Sequence, residues 1–156
     1  MKLNKILLLL FLATTLVSCN RKTRTIGIQP FGKIERAKLE SLQSILVTIY
    51  STNVTILDSK EIPASAFVNI KSPRYRADSL IRYLKRTKPD TIDYILGFTD
   101  KDISTTKKDK NGNVKKPASR YQDWGIFGLG FRPGPSCVVS SFRLKNKDSK
   151  LTTERY

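Results

Sequence analysis

The stretch D-W-G-I-F-G-L-G-F-R-P-G-P-S-C-V-V-S-S-F-R-L, Asp123–Leu144, decides the fold of this chain. Gly125–Phe131 is glycine-rich and extended, and Arg132–Pro135 turns the chain. Cys137–Leu144 then reads as a last strand with Val and Ser mixed. Two extended pieces joined by so short a turn predict an antiparallel neighbour at the edge of a sheet. The sheet itself is set by what lies upstream.

Ile26–Gln29 reads as an apolar strand closed by Pro30, Phe31 and Gly32. A helix is predicted from about Lys33 to Tyr50, with Leu42, Ile45, Leu46 and Ile49 as its buried stripe. Val54–Leu57 is a second strand, and Pro63–Ile70 an ambiguous apolar piece read as a short strand. Ser72-Pro73 has the form of an N-cap followed by proline at the first helical position. Ala77, Leu80, Ile81 and Leu84 follow at helical spacing, and Pro89 and Asp90 end that helix. Asp93–Thr99 is apolar on both parities, as expected of a strand covered on both faces. Lys107–Pro117 is a charged loop turning at Asn111-Gly112. A further helix opens near Ser149 or Thr152. Strand–helix–strand alternation means an α/β fold, a twisted mixed and mostly parallel sheet packed with helices.

Residues 1–18 read as a signal peptide. Lys2 and Lys5 precede the apolar run Ile6–Leu12, and Leu16-Val17-Ser18-Cys19 resembles a bacterial lipobox. The run is too short to span ~30 Å of hydrocarbon. Cys19 is therefore the expected lipidation site, and the expected partner is a lipid bilayer reached through its acyl chains. Residues 19–24 form a tether, and residues 25–156 the folded part. The expected location is the bacterial cell envelope, exported and lipid-anchored.

The formal net charge is +16. Such a balance suggests nucleic acid in a cytosolic chain, but no nucleic-acid partner is expected of an exported lipoprotein. The basic residues are dispersed, except for Lys107, Lys108, Lys110, Lys115 and Lys116, which read as a solvated loop rather than a membrane-facing patch.

The chain contains no histidine. That excludes a Ser-His-Asp triad and a histidine zinc site, and one spare cysteine cannot form a thiolate site. No P-loop is present, and Gly125, Gly128 and Gly130 lack the spacing of a dinucleotide fingerprint. Cys137, within Cys137-Val138-Val139, reads as a small buried residue. Asp100 and Asp102 follow a strand, where fixing the loop is favoured over acid–base work.

Four segments coincide with one family. Ile26–Gly32 (IGIQPFG), Arg74–Leu80 (RYRADSL), Tyr94–Lys107 (YILGFTDKDISTTK) and Asp123–Leu144 resemble the archaemetzincins, in the same order and spacing. The resemblance covers most of residues 25–156. It implies a metzincin-type zinc metallopeptidase, in which a zinc-bound water hydrolyses peptides and an H-E-x-x-H helix carries the ligands and the general base. It also implies an edge strand that pairs with an extended peptide substrate. Here that strand is Gly125, Ile126, Phe127, Gly128, Leu129, Gly130 and Phe131, with glycines letting the peptide approach.

The departure from the family is as informative. In the family, the segments matching Cys137–Leu144 and Leu151–Tyr156 lead into the motif helix. No residue of this chain matches a ligand or the base, so no catalytic or metal residue is assigned. Zinc is expected in full-length members of the family. The expectation is a truncated, N-terminal part of the catalytic domain, inactive as written. Its solubility should suffer from apolar surface at Val138, Val139 and Phe142. The alternative is a non-catalytic envelope lipoprotein that binds peptides or a partner through the same edge.

Overall fold

A computed structural model describes residues 23–144. Its main sheet has five strands: β1 Thr25–Phe31, β2 Asn53–Ile56, β5 Tyr94–Thr99, β8 Gly128–Gly130 and β9 Ser136–Ser140, in the order β2-β1-β5-β9-β8. The first four run parallel, and β8 lies antiparallel at the edge. The mostly parallel sheet with an antiparallel edge is thus as the sequence indicates. A second sheet of four strands holds β3 Phe67–Asn69, β4 Pro73–Arg76, β6 Ile103–Thr105 and β7 Trp124–Ile126, in that order.

Helices α1, Arg36–Tyr50, and α2, Ala77–Thr87, pack against opposite faces of the main sheet; a third, α3, is the single turn Ala118–Tyr121. Alternation along β5 sends its residues to the two sides in turn. Ile95 and Gly97 meet α2, while Phe98 joins the cluster beneath α1. The core under α2 includes Phe31, Leu80, Ile81, Leu84 and Val138, each at most 1% exposed. Ala77, Leu80, Ile81 and Leu84 are all buried, as their spacing predicts.

The stripe on α1 is only half covered. Leu42 and Leu46 pack partly against Ile28, Val54 and Phe98, but Ile45 is 44% exposed and Ile49 65%. The buried residue of α1 is Leu39. Val138 is fully buried beneath α2, contrary to the expectation that it is exposed, while Phe142 is 45% exposed.

Three local readings need correction. Pro73 does not open a helix: Pro73–Arg76 is β4, and the helix starts at Ala77. A proline is tolerated at the first residue of a strand, and extension lets Arg74 and Arg76 reach buried carboxylates across the sheet. The segment Gly125–Phe131 is not one strand of one sheet but parts of β7 and β8, in two sheets. The last strand ends at Ser140, and Phe142–Leu144 is a 3-10 turn. There Ser140 Oγ donates to Lys101 O and accepts from the Phe142 N–H, bending the chain away. Pro63–Ile70 contains a 3-10 turn, Ala64–Ala66, before β3. The signal peptide, Cys19 and the helix expected near Ser149 or Thr152 lie outside the described residues.

Candidate functional site

β7 and β8 follow each other with one residue, Phe127, between them. Each is the terminal strand of its sheet, so Trp124–Gly130 is one continuous edge bordering both. In β8 the hydrogen-bond parity is clear. Phe127 O accepts from Ser140 N–H, and Phe131 N–H donates to Ser136 O. Gly128 and Gly130 therefore sit opposite Val139 and Cys137 in non-hydrogen-bonded pairs. Their own N–H and C=O groups point to the open side, about 7 Å apart at two strand residues. That spacing suits strand addition by an extended peptide.

The glycines of this edge do different work. A Cβ on Gly128 would lie 2.9 Å from Val138 O, and one on Gly130 3.2 Å from Cys137 Cβ. Both leave room for β8 to lie close on β9. Gly125 instead makes room for a side chain on its face. A Cβ there would lie 1.9 Å from Nη2 of Arg143. Arg143 lies across this glycine and grips Asp102 with two bonds, Nε to Oδ1 and Nη2 to Oδ2, each 2.8 Å. Of the seven residues expected to form the substrate edge, Gly125 is thus chiefly a seat for Arg143. The other six, Ile126, Phe127, Gly128, Leu129, Gly130 and Phe131, lie on or beside the edge. Leu129 turns inward onto the core under α2.

Asp102 belongs to a buried ion network the sequence reading did not foresee. Arg74 Nε donates to Asp102 Oδ2 at 2.8 Å, and its Nη1 reaches Asp123 Oδ2 at 3.1 Å. The Asp123 side chain is fully buried. These groups clamp the loop after β5, the entry to β7 and the turn after β9. Asp102 is a loop-fixing residue, as favoured from sequence; among the described residues Asp100 pairs only with its neighbour Lys101.

Beneath the edge strand, on the face of α1, lies an open groove of about 1440 Å³. Leu42, Leu46 and Tyr50 form one wall, Phe131 and Pro135 the other, with Leu96, Cys137 and Val139 among its floor residues. It continues past Val139 into a smaller hollow of about 390 Å³ bounded by Ile45, Phe98 and Leu144. Cys137 is in this floor. Burial pushes its thiol up from the ordinary value, so it is a poor nucleophile at neutral pH. A Cys19→Ser chain, in which Cys137 is the sole thiol, should react with a thiol reagent at pH 8 at least tenfold more slowly than when unfolded. Equal rates would contradict the burial. A folded pKa above the unfolded value means stability intact below the unfolded thiol pKa of about 8.5 and lost as pH rises through the folded one.

No family model and no curated protein matches this chain. Solved structures do match in fold. Archaemetzincin from Archaeoglobus fulgidus, complexed with malonate, aligns at 25% identity and TM-score 0.57, over 83% of this chain and 68% of its own. Archaemetzincin from Methanopyrus kandleri aligns at 20% identity and TM-score 0.61, over 88% and 69%. A zinc-dependent peptidase from Methanocorpusculum labreanum aligns at 18% and TM-score 0.52, over 81% and 72%. The fold is therefore of the metallopeptidase kind. Within that class the chain is archaemetzincin-like.

The zinc of that class does not fit the side chains present. The sequence has no histidine. Among the described residues no three of Cys, Asp and Glu are placed to hold a metal ion. Asp102 and Asp123 are already taken by arginines.

Proposed function

We propose that this chain is the strand-bearing N-terminal part of an archaemetzincin-like metallopeptidase unit, exported and tethered to a bilayer through acylated Cys19. One observation carries the reading. An edge strand with outward N–H and C=O groups at Gly128 and Gly130 runs beside an apolar groove, within a fold shared with archaemetzincins. An extended peptide along that edge would have its backbone fixed by main-chain bonds. The half-covered stripe of α1 and the groove floor would be closed by the further part of the unit, since the match takes in 68–72% of each related structure. The lipid anchor rests on the sequence around Cys19 alone.

With no histidine in the sequence and no metal-holding cluster among the described residues, the 156 residues by themselves should show no chelator-sensitive peptide hydrolysis with zinc supplied. Hydrolysis abolished by a chelator would overturn the reading. The second reading, a non-catalytic envelope lipoprotein, is favoured by the lack of a metal-holding cluster among the described residues. Reading the gene beyond the Tyr156 codon separates the two. An H-E-x-x-H sequence following in frame supports the peptidase unit; a verified stop without one leaves only the binding protein.

A further inference from the structure

We infer that the partner of the Trp124–Gly130 edge is an acidic peptide whose carboxylates are held by the cationic hairpin at one end of that edge. The inference rests on the strand-addition reading above and adds the chemistry of what is added.

The hairpin is residues 106–122. Asp109 N–H donates to Asn113 O and Lys115 N–H to Lys107 O, with a bridge between Lys108 and Val114. It presents Lys107, Lys108, Lys110, Lys115, Lys116 and Arg120. Its one carboxylate, Asp109, is exposed and accepts the N–H groups of Asn111 and Asn113 at Oδ1, closing the turn at Gly112. Among the described residues it pairs with no lysine. None of the six cations pairs with a carboxylate among the described residues. Six cations and one carboxylate give this short, exposed element a net charge of +5.

The hairpin is also fixed to the edge. Lys107 N–H donates to Tyr121 O, and Thr106 Oγ to Gln122 O, so both arms join at the residue before Asp123 and β7. Trp124, the first residue of β7, stacks on Tyr121 at 5.5 Å between ring centres. Lys107 Nζ sits 3.9 Å from the centre of the Trp124 ring, and the Arg120 guanidinium 5.7 Å. Lys71 adds a further cation by donating to Arg120 O. The positive field therefore begins at the Trp124 end of an edge of seven residues, about 23 Å at ~3.3 Å per residue. A chain lying along Gly128 and Gly130 carries its next residues toward those lysines. Carboxylates at that end gain from the field, and basic residues there are repelled.

The test uses the full 156-residue chain and fluorescent ten-residue extended peptides. One carries three Glu at one terminus, a second has Gln in their place, and a third is the Glu peptide N-methylated at alternate residues. At low salt the Glu peptide should bind at least tenfold more tightly than the Gln peptide, with the advantage largely lost at 0.5 M NaCl. The exposed triple variant Lys108→Glu, Lys115→Glu, Lys116→Glu should abolish the preference. Equal binding of Glu and Gln peptides, a preference untouched by the triple variant, or no peptide binding at all overturns the inference. The N-methylated peptide reports on the edge separately. If it binds poorly while Glu and Gln peptides bind alike, the edge stands and the charge inference falls. If it binds as well as its parent, and a heparin fragment competes equally, the hairpin is a general polyanion site and strand addition falls.

Discussion

Arg74→Ala is expected to lower the free energy of unfolding by about 3–5 kcal/mol, the range for removing one partner of a buried ion pair. Arg74 serves two carboxylates at once, Asp102 at 2.8 Å and Asp123 at 3.1 Å, and also donates to Asp123 O at 3.0 Å. Its loss falls unevenly on the two. Asp102 keeps both bonds from Arg143. Asp123 keeps only Arg76, whose Nη1 is 3.9 Å away, and its Oδ1 has no hydrogen-bond partner among the described residues. A carboxylate with a fully buried side chain would be left nearly unpaired. Arg143→Ala should cost less, since Asp102 would still hold Arg74 and the Arg143 side chain is 30% exposed. Urea denaturation of the three chains gives the comparison. An Arg74→Ala chain within 1 kcal/mol of the parent would show that the network contributes little. The double change Arg74→Met with Asp123→Leu removes both charges and should restore much of the loss.

That network also marks where sequence reading stops. α2 was legible because Ala77, Leu80, Ile81 and Leu84 repeat at a period that needs no partner to be recognised. β5 was legible because an unbroken apolar run demands cover on both faces. Pro73–Arg76 was not, because the local Ser-Pro signal favours a helix start while the deciding contacts come from Asp102 and Asp123, 28 and 49 residues away. The alternation of Arg74 and Arg76 was the available clue. Two cations two residues apart share a face in a strand and not in a helix. The same limit applies at the edge. Glycine content marks Gly125–Gly130 as extended, but it cannot say that Gly125 makes room for Arg143 whereas Gly128 and Gly130 present their backbone outward. The open stripe of α1 departs from the sequence expectation for a related reason. Periodicity locates an apolar face and is silent on what covers it, and here Ile45 and Ile49 are only partly covered.

The second large effect is expected at the contact between α2 and the centre of the sheet. Leu84 is fully buried, and Leu84→Ala should cost about 2–5 kcal/mol through lost burial and the cavity left behind. Gly97 lies directly under it. A Cβ there would lie 2.7 Å from Leu84 Cδ1 and 3.0 Å from Phe31 Cε2. Gly97→Ala alone should therefore cost about 1–3 kcal/mol by overpacking. The two costs have one origin, the close approach of helix to strand, so they should not add. In the double variant the new methyl group occupies part of the space that Leu84 vacates, and the total should fall short of the sum by more than 0.5 kcal/mol. Additivity within that margin would mean that Gly97 is held for some reason other than Leu84. The pair also bears on the edge. The same core packs Val138 and Leu129, the inward-facing residues of β9 and β8. Loosening it should speed hydrogen exchange at the Leu129 amide, while the Asp109 turn of the cationic hairpin, held by its own bonds, should exchange as before.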